Sequence, residues 1–325
     1  MKSLRIGTRG SSLALWQAQW VAKQLLICHP TLDIHIVTIK TTGDIRLEAP
    51  IPELGGKGLF TTEIEEALLK GEIDLAVHSL KDLPCEMPRG LAVAAYTQRE
   101  DARDVLIGKS GLTLEELPPG SLLGTSSLRR KALILSINPG LNCVDLRGNI
   151  DTRLRKLDES RKLQGIVVAA AGIHRMGWQD RITHYLDDAH FLPAAGQGVI
   201  ALEMCAQHSE LGDFVACINH LPSELEARAE RSFLSTLQAG CHEPVGARAS
   251  YQQGPPGPPD PPGTLDIPKQ ASSSPLSSPG TLVLKGMIAR IDGSKILRTK
   301  ATGTNPEVVG AEAAKTVLTK IGSLS

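Results

Sequence analysis

Five arginines, Arg129, Arg130, Arg147, Arg153 and Arg175, stand where the hydrophobic pattern places strand-to-helix junctions, in a chain whose formal net charge is +0. Residues 124–156 alone carry seven basic side chains, Arg129, Arg130, Lys131, Arg147, Arg153, Arg155 and Lys156, against two acidic ones, Asp145 and Asp151. Local positive charge without a global excess fits a compact polyanionic ligand. Nucleic acid or an anionic membrane would draw on a basic balance that this chain lacks. For any single arginine of the set, a solvated helix face stays open as the alternative.

The elements that must position these cations sharpen the reading. Leu122-Leu123 reads as the end of a buried strand, Gly124-Thr125-Ser126-Ser127 as a turn, and 128–137 as a helix stopped by Asn138-Pro139-Gly140. Backbone N–H groups and hydroxyls at such a helix start form an anion cradle. Arg129 and Arg130 fall in the first turn, where a cation opposes the helix dipole unless an anion offsets it. The same device opens the chain: a strand at Leu4-Arg5-Ile6 runs into Gly7-Thr8-Arg9-Gly10-Ser11-Ser12-Leu13 and a helix bearing Trp16 and Trp20. Two such cradles about one domain length apart predict two α/β domains facing each other across a cleft.

At 325 residues the chain suits two or three domains; hydrophobic residues at 41% with aromatics at 3% imply aliphatic cores. The N-terminus shows no signal-peptide stretch and no apolar run reaches membrane-spanning length, so the expectation is a cytoplasmic protein without membrane or nucleic-acid partners. Six cysteines, Cys28, Cys85, Cys143, Cys205, Cys217 and Cys241, include no Cys-x-x-Cys pair, so neither a metal site nor a disulfide framework is indicated.

Strand and helix patterns then alternate as in a parallel α/β sheet. Residues 33–40 alternate as a strand, and Gly55-Gly56-Lys57-Gly58 is a flexible loop. Thr62-Glu63-Ile64-Glu65 reads as a capping box, and the apolar strand 73–77 delivers His78-Ser79-Leu80-Lys81-Asp82-Leu83-Pro84 to its carboxyl end, where ligands bind in open α/β sheets. Asp82 could equally be a helix N-cap. Further strands are expected at 105–107, 143–146 and 166–170, and 191–198 as a return crossing. Ser223-Glu224-Leu225-Glu226 reads as a second capping box opening a helix with Leu225, Ala229, Phe233 and Leu237 on one face. Strands at 282–291 and 296–302 and a helix after Asn305-Pro306 complete a small α+β domain. Between them, residues 252–280 hold nine prolines, four glycines and five serines, a composition that predicts a disordered, partly polyproline II loop.

Gly7-Thr-Arg-Gly-Ser-Ser-Leu-Ala-Leu-Trp-Gln-Ala, Gly55-Gly-Lys-Gly-Leu-Phe, His78-Ser-Leu-Lys-Asp-Leu-Pro, Gly124-Thr-Ser-Ser-Leu-Arg-Arg, Leu146-Arg-Gly-Asn-Ile-Asp-Thr-Arg-Leu and Gly240-Cys occur in this order across nearly the whole chain. In these motifs the chain closely resembles the porphobilinogen deaminases, also called hydroxymethylbilane synthases. The resemblance implies two periplasmic-binding-protein-like α/β domains, 1–98 with 193–214 and 99–192, plus a smaller α+β domain, 215–325, in a monomer. It implies head-to-tail condensation of four porphobilinogens with release of ammonia, primed by a dipyrromethane cofactor held as a thioether on Cys241. Asp82 takes the position of the catalytic carboxylate. Ser79, Lys81, Thr125, Ser126, Ser127, Arg129, Arg130, Arg147, Asn149 and Gly172 match cofactor-binding positions, and Arg9, Ser11, Arg153, Arg175 and Gln197 substrate-binding ones. Residues 43–60 resemble the family's mobile lid. The acetate and propionate on every pyrrole ring supply the polyanion that the arginines call for.

For Cys241 the ordinary alternative is an inert buried thiol. Two departures from the family pattern stand out: Glu243, where a small or apolar residue is usual, and the 252–280 insertion. The rival class is a non-enzymatic two-domain anion-binding protein, which would need no Cys241.

Overall fold

A computed structural model describes residues 1–45, 61–239, 243–253 and 280–322. Most of the expected lid, the Gly55–Gly58 loop, Cys241 and residues 254–279 of the insertion lie outside the described residues. The first sheet contains β1 (Ser3–Arg9), β2 (Asp33–Ile39), β3 (Leu75–Ser79), β4 (Leu91–Tyr96) and β10 (Ile200–Cys205), in the order β2-β1-β3-β10-β4. The second contains β5 (Asp104–Gly108), β6 (Leu122–Gly124), β7 (Asn142–Val144), β8 (Leu163–Ala169) and β9 (His184–Tyr185), in the order β7-β6-β8-β5-β9. These are two α/β units. The third sheet is an antiparallel meander of β11 (Val245–Gln252), β12 (Thr281–Ala289) and β13 (Ile296–Gly303).

The first two sheets are mixed, a correction to the parallel pattern expected. β10 runs antiparallel to β3 and β4, and β5 runs antiparallel to β8 and β9. Each is the first strand after the chain crosses between units, so it enters its new sheet from the opposite end. The two crossings lie side by side: Glu100 N donates to Gly198 O and Thr97 N to Ile200 O, both at 3.0 Å. Gly198 has φ +89°, and a Cβ there would stand 2.4 Å from Glu100 O, so only glycine lets the crossings pair.

Helices cover the sheets: α1 (Ser12–Cys28), α2 (Thr42–Ile45), α3 (Thr62–Leu69), α4 (Leu128–Ile137), α5 (Ile150–Glu159), α6 (Ala170–Arg175), α7 (Ser209–Val215), α8 (Leu221–Thr236) and α9 (Pro306–Gly322). α1 starts where Ser11 Oγ accepts from Ala14 N at 3.3 Å, and buries Ala18, Val21, Ala22 and Leu25 against Leu4, Ile6, Leu75 and Leu202. It ends before Pro30, which disfavours helix at the residue preceding it.

Neither expected capping box forms. α3 begins one residue earlier than the box requires, after Thr61 with no side-chain cap, so Ile64 rather than Glu65 stands at its third position; Glu63 accepts from Thr42 N at 2.7 Å and from the Thr42 hydroxyl. α8 begins earlier than expected because Pro222 fits its first turn and His220 caps Ser223 N. Ser223 Oγ accepts from Arg99 N at 2.9 Å, and Glu226 pairs with Arg99 and Arg248. The expected α8 stripe does pack: Ala229 and Phe233 sit among Leu282, Leu284 and Val317 in the third unit's core. Glu230, fully buried, ties that unit to both crossings. Its carboxylate accepts from Arg99 NH2 at 3.0 Å, Gly196 N at 2.7 Å and Ala249 N at 2.8 Å.

Candidate functional site

The carboxyl ends of β1, β3, β6 and β8 and the return crossing enclose a cavity of about 290 Å3 between the two α/β units. Among the described residues six cations line it, Arg9, Lys81, Arg130, Arg147, Arg153 and Arg175, with Asp82 as the carboxylate among them. Ser11, Ser79, Ser126, Asn149, Gly172 and Gln197 complete the expected residues on its wall.

Local structure explains each placement. β3 ends at Ser79 and tightens into a 3-10 turn over Leu80–Asp82, whose only wholly buried side chain is Leu80, so Lys81 and Asp82 are turned toward the cleft. Asp82 caps no α-helix and is exposed; it makes no hydrogen bond or ion pair with any described residue. Lys81 Nζ donates to Gln197 Oε1 at 3.4 Å. Burial, then the nearby Arg130 charge, bring its ammonium down to about 8 despite Asp82.

In the second unit, Ser127 caps α4 by accepting from Arg130 N at 3.4 Å, and Ser126 Oγ donates to Leu146 O at 3.0 Å. Gly148, at φ +114°, turns β7's exit loop into α5; a Cβ there would meet Thr152 at 2.7 Å. The freed Gly148 carbonyl accepts from Arg153 Nε at 2.8 Å. Burial lowers Arg153 to about 10, aided by Arg130 and opposed by Asp82. Burial likewise lowers Arg175 to about 10; its NH2 donates to Gly198 O at 2.6 Å. Arg9 forks onto Asp44, and although burial opposes it, the guanidinium holds the Asp44 carboxyl below its ordinary range.

Three expected residues stand off the cavity wall. Arg129 is buried and donates to Asp104 Oδ2 at 2.7 Å and Leu192 O at 2.6 Å. Thr125 is buried, its Oγ1 accepting from Ser127 N at 3.3 Å, and both residues shape the turn that presents Arg130. Cys241 lies outside the described residues. Glu243 is exposed.

Sequence reasoning missed Asp104 and Gln17. Fully buried Asp104 accepts from Arg129, from Arg130 at 2.8 and 3.1 Å, and from Gln197 Nε2 at 3.0 Å. Burial opposes its charge, but the two guanidiniums outweigh that and hold the carboxyl far below its usual range. Gln17 lines the cavity and donates to Ser79 Oγ at 2.9 Å. A buried glutamine on the first helix's inward face was the available signal. Nothing local marked Asp104. Among the described residues no group of three or more His, Cys, Asp or Glu could hold a metal ion, and no helix is long and apolar enough to cross a membrane.

The arrangement can grip several carboxylates at once while Asp82, hydrogen-bonded to no described residue, faces the cavity. Residues 4–213 match the family model described as porphobilinogen deaminase, dipyromethane cofactor binding domain, and residues 224–319 match porphobilinogen deaminase, C-terminal domain. A porphobilinogen deaminase of Desulfitobacterium hafniense is 45% identical over 314 residues, 97% of this chain and 93% of that protein. One of Syntrophomonas wolfei is 43% identical over 325 residues, 99% and 97% of the respective chains. Among solved structures, a methionine-binding protein covers 67% of this chain and 90% of its own at 15% identity and a TM-score of 0.44.

Proposed function

This chain belongs to the porphobilinogen deaminase family, and from that premise we propose that Asp82 stabilises the cation formed when each substrate loses ammonia, while the surrounding arginines hold pyrrole carboxylates. The activity is that of a transferase: four porphobilinogens condense head to tail, each releasing ammonia, to give the linear tetrapyrrole hydroxymethylbilane. The family matches do not favour a non-enzymatic anion-binding protein. The observation that carries the site reading is one carboxylate, Asp82, paired with no described residue, in a cavity that six cations of the described residues line.

The chemistry of that lining fits a dipyrromethane, whose acetate and propionate groups need forked donors. The cofactor supplies the pyrrole carbon on which the chain grows. Ser79, Lys81, Ser126, Arg130, Arg147, Asn149 and Gly172 would hold it, with Thr125, Ser127 and Arg129 supporting the turn, and Cys241 carries the thioether. Arg9, Ser11, Arg153, Arg175 and Gln197 receive the incoming substrate. As its carbon–nitrogen bond breaks, the electron pair leaves with nitrogen and positive charge spreads over the ring. A carboxylate accepting the ring N–H stabilises that charge where it develops. The desolvated arginines fix ring position through the side-chain carboxylates without touching the reacting carbon.

The domains divide as 1–98 with 193–214, 99–192 and 215–325, in a cytoplasmic monomer that binds porphobilinogen and neither nucleic acid nor membrane. Intact mass decides the central point. The purified protein should exceed its sequence mass by two condensed porphobilinogen units, mapped to the Cys241 peptide and absent from Cys241→Ser. Asp82→Asn should keep that added mass and lose most turnover. Turnover within a few-fold of wild type would remove Asp82 from the chemistry.

A further inference from the structure

The two crossings between the α/β units are held from the second unit by a pair of neighbours, His174 and Arg175, of which the chemistry above uses only the arginine. Both stand at the end of α6, which follows directly from β8. His174 Nδ1 donates to Glu100 Oε1 at 3.0 Å, and Glu100 N donates to Gly198 O, also at 3.0 Å. The same Gly198 oxygen accepts from Arg175 NH2 at 2.6 Å. These four residues close a circuit. α6 grips the first crossing through His174 and the return crossing through Arg175, and the two crossings grip each other. The second imidazole nitrogen is held as well: His174 Nε2 lies 3.0 Å from the Tyr185 hydroxyl in β9. The Arg103 guanidinium lies 4.3 Å from the centre of the Tyr185 ring and forks onto Asp101, the neighbour of Glu100, at 2.6–3.1 Å.

We propose that His174 is a positioning residue for substrate binding: through Glu100 and Gly198 it holds the Arg175 guanidinium in the orientation that receives an incoming carboxylate. This role rests on the reading of Arg175 as a substrate cation. One donor of the guanidinium is committed to Gly198 O, which fixes the direction of the others on the cavity wall. That oxygen is itself placed by Glu100 N, and the Glu100 side chain is pinned in turn, its Oε1 accepting from His174 Nδ1 and from Asp101 N at 3.0 Å each. Without the imidazole, Glu100 keeps only the bond from its own chain neighbour, and the link from α6 to the first crossing opens. A guanidinium aligned before the ligand arrives loses less freedom on binding, so loosening it weakens affinity. His174 does not reach the reacting carbon, so the chemical step is left alone. Its side chain is 19% exposed and that of Glu100 42%, so the pair adds little to folding stability.

The test uses the full-length, cofactor-loaded enzyme with porphobilinogen as substrate. His174→Ala should raise KM about threefold to tenfold, the equivalent of one hydrogen bond, with kcat within about twofold of wild type. Cofactor mass and melting temperature should stay near the wild-type values. His174→Gln, whose amide still offers an N–H to Glu100, should recover most of the loss. Arg175→Gln should raise KM by itself, and adding His174→Ala to it should raise KM no further, because no guanidinium remains to be aimed. A raised KM in Arg175→Gln beside a wild-type KM in His174→Ala overturns the positioning role alone, and so do losses that multiply in the double variant. A wild-type KM in Arg175→Gln removes Arg175 from substrate binding and the role of His174 with it. If kcat, cofactor loading and melting temperature fall together in His174→Ala and glutamine restores none of them, His174 serves the fold and the proposal is likewise overturned.

Discussion

Asp104→Asn tests whether charge or hydrogen bonding organises the floor of the cleft. The wild-type carboxylate is fully buried and takes N–H bonds from Arg129, Arg130 and Gln197 at 2.7–3.1 Å. Two guanidiniums and one carboxylate leave one net positive charge, and Lys81, reached through Gln197, adds another. Asparagine keeps the shape and one accepting oxygen but leaves three cations without their anion. Removing one member of a buried ion pair costs about 3–5 kcal/mol. Arg129 would still donate to Leu192 O and Arg130 to Val167 O, which favours the lower figure, about 3 kcal/mol. At about 2 °C per kcal/mol for a long chain, the melting temperature should fall by roughly 6 °C. The sign with pH follows from the lowered carboxyl. Its contribution is fully present above the unfolded value of about 3.9 and is lost only as pH falls well below that, so the deficit should stay flat between roughly pH 5 and 8. Calorimetry of both proteins across that range is the assay. Adding Arg129→Met to Asp104→Asn should restore part of the loss by removing an uncompensated cation. A melting temperature within about 1 °C of wild type, or no recovery in the double variant, would refute the charge-balance argument.

Three further outcomes are expected. Arg147→Lys keeps the charge and loses the guanidinium fork, so KM or cofactor loading should worsen by roughly tenfold to a hundredfold, the equivalent of one charge-assisted bond; wild-type kinetics with full loading would make Arg147 a surface charge. Replacing residues 254–279 by a short glycine-serine link should leave kcat nearly unchanged, because Gln252 and Thr281 are already paired across the hairpin; a large loss with intact melting would place the insertion in the reaction. Lys81 is lowered to about 8 while the unfolded side chain titrates near 10.5, so the folded state binds fewer protons between those values. Cofactor-free Cys241→Ser protein should therefore gain stability as pH rises from about 8 toward 10.5, and adding Lys81→Met should flatten that rise when melting is followed against pH.

The sequence signalled the anion cradles plainly because each is local: a strand, a Gly-Thr turn, hydroxyls and a helix lie within about a dozen residues. The 128–137 helix matches α4 residue for residue, and β1, β5, β6 and β12 lie where apolar runs placed them. What was not legible depended on partners far along the chain. Strand direction in β5 and β10 is set by the crossings, which no local pattern records. Ser223 and Glu226 carry the right residue types for a capping box, yet tertiary donors claim their side chains: Arg99 N for Ser223, and Arg99 and Arg248 for Glu226; α3 starts one residue earlier than its box requires, so Glu65 falls one position too late.

The arginines show why one signal can have two physical answers. A cation in the first turn of a helix demands an anion, and both Arg129 and Arg130 met that condition in the sequence. Asp104 answers it from below for both, but Arg129 shares the NH1 that meets Asp104 with Leu192 O, whereas Arg130 also reaches the cavity wall. Among the described residues, Arg153 and Arg175 donate hydrogen bonds only to carbonyl oxygens, and burial depresses both to about 10. Such cations are held out of water without a carboxylate hydrogen-bonded to them, which is unfavourable until a carboxylate arrives. On the proposed reading, a ligand bearing two carboxylates per ring would relieve that deficit ring by ring, so affinity for a growing chain would follow from holding Arg153 and Arg175 without a hydrogen-bonded carboxylate while Asp104 secures the frame beneath them.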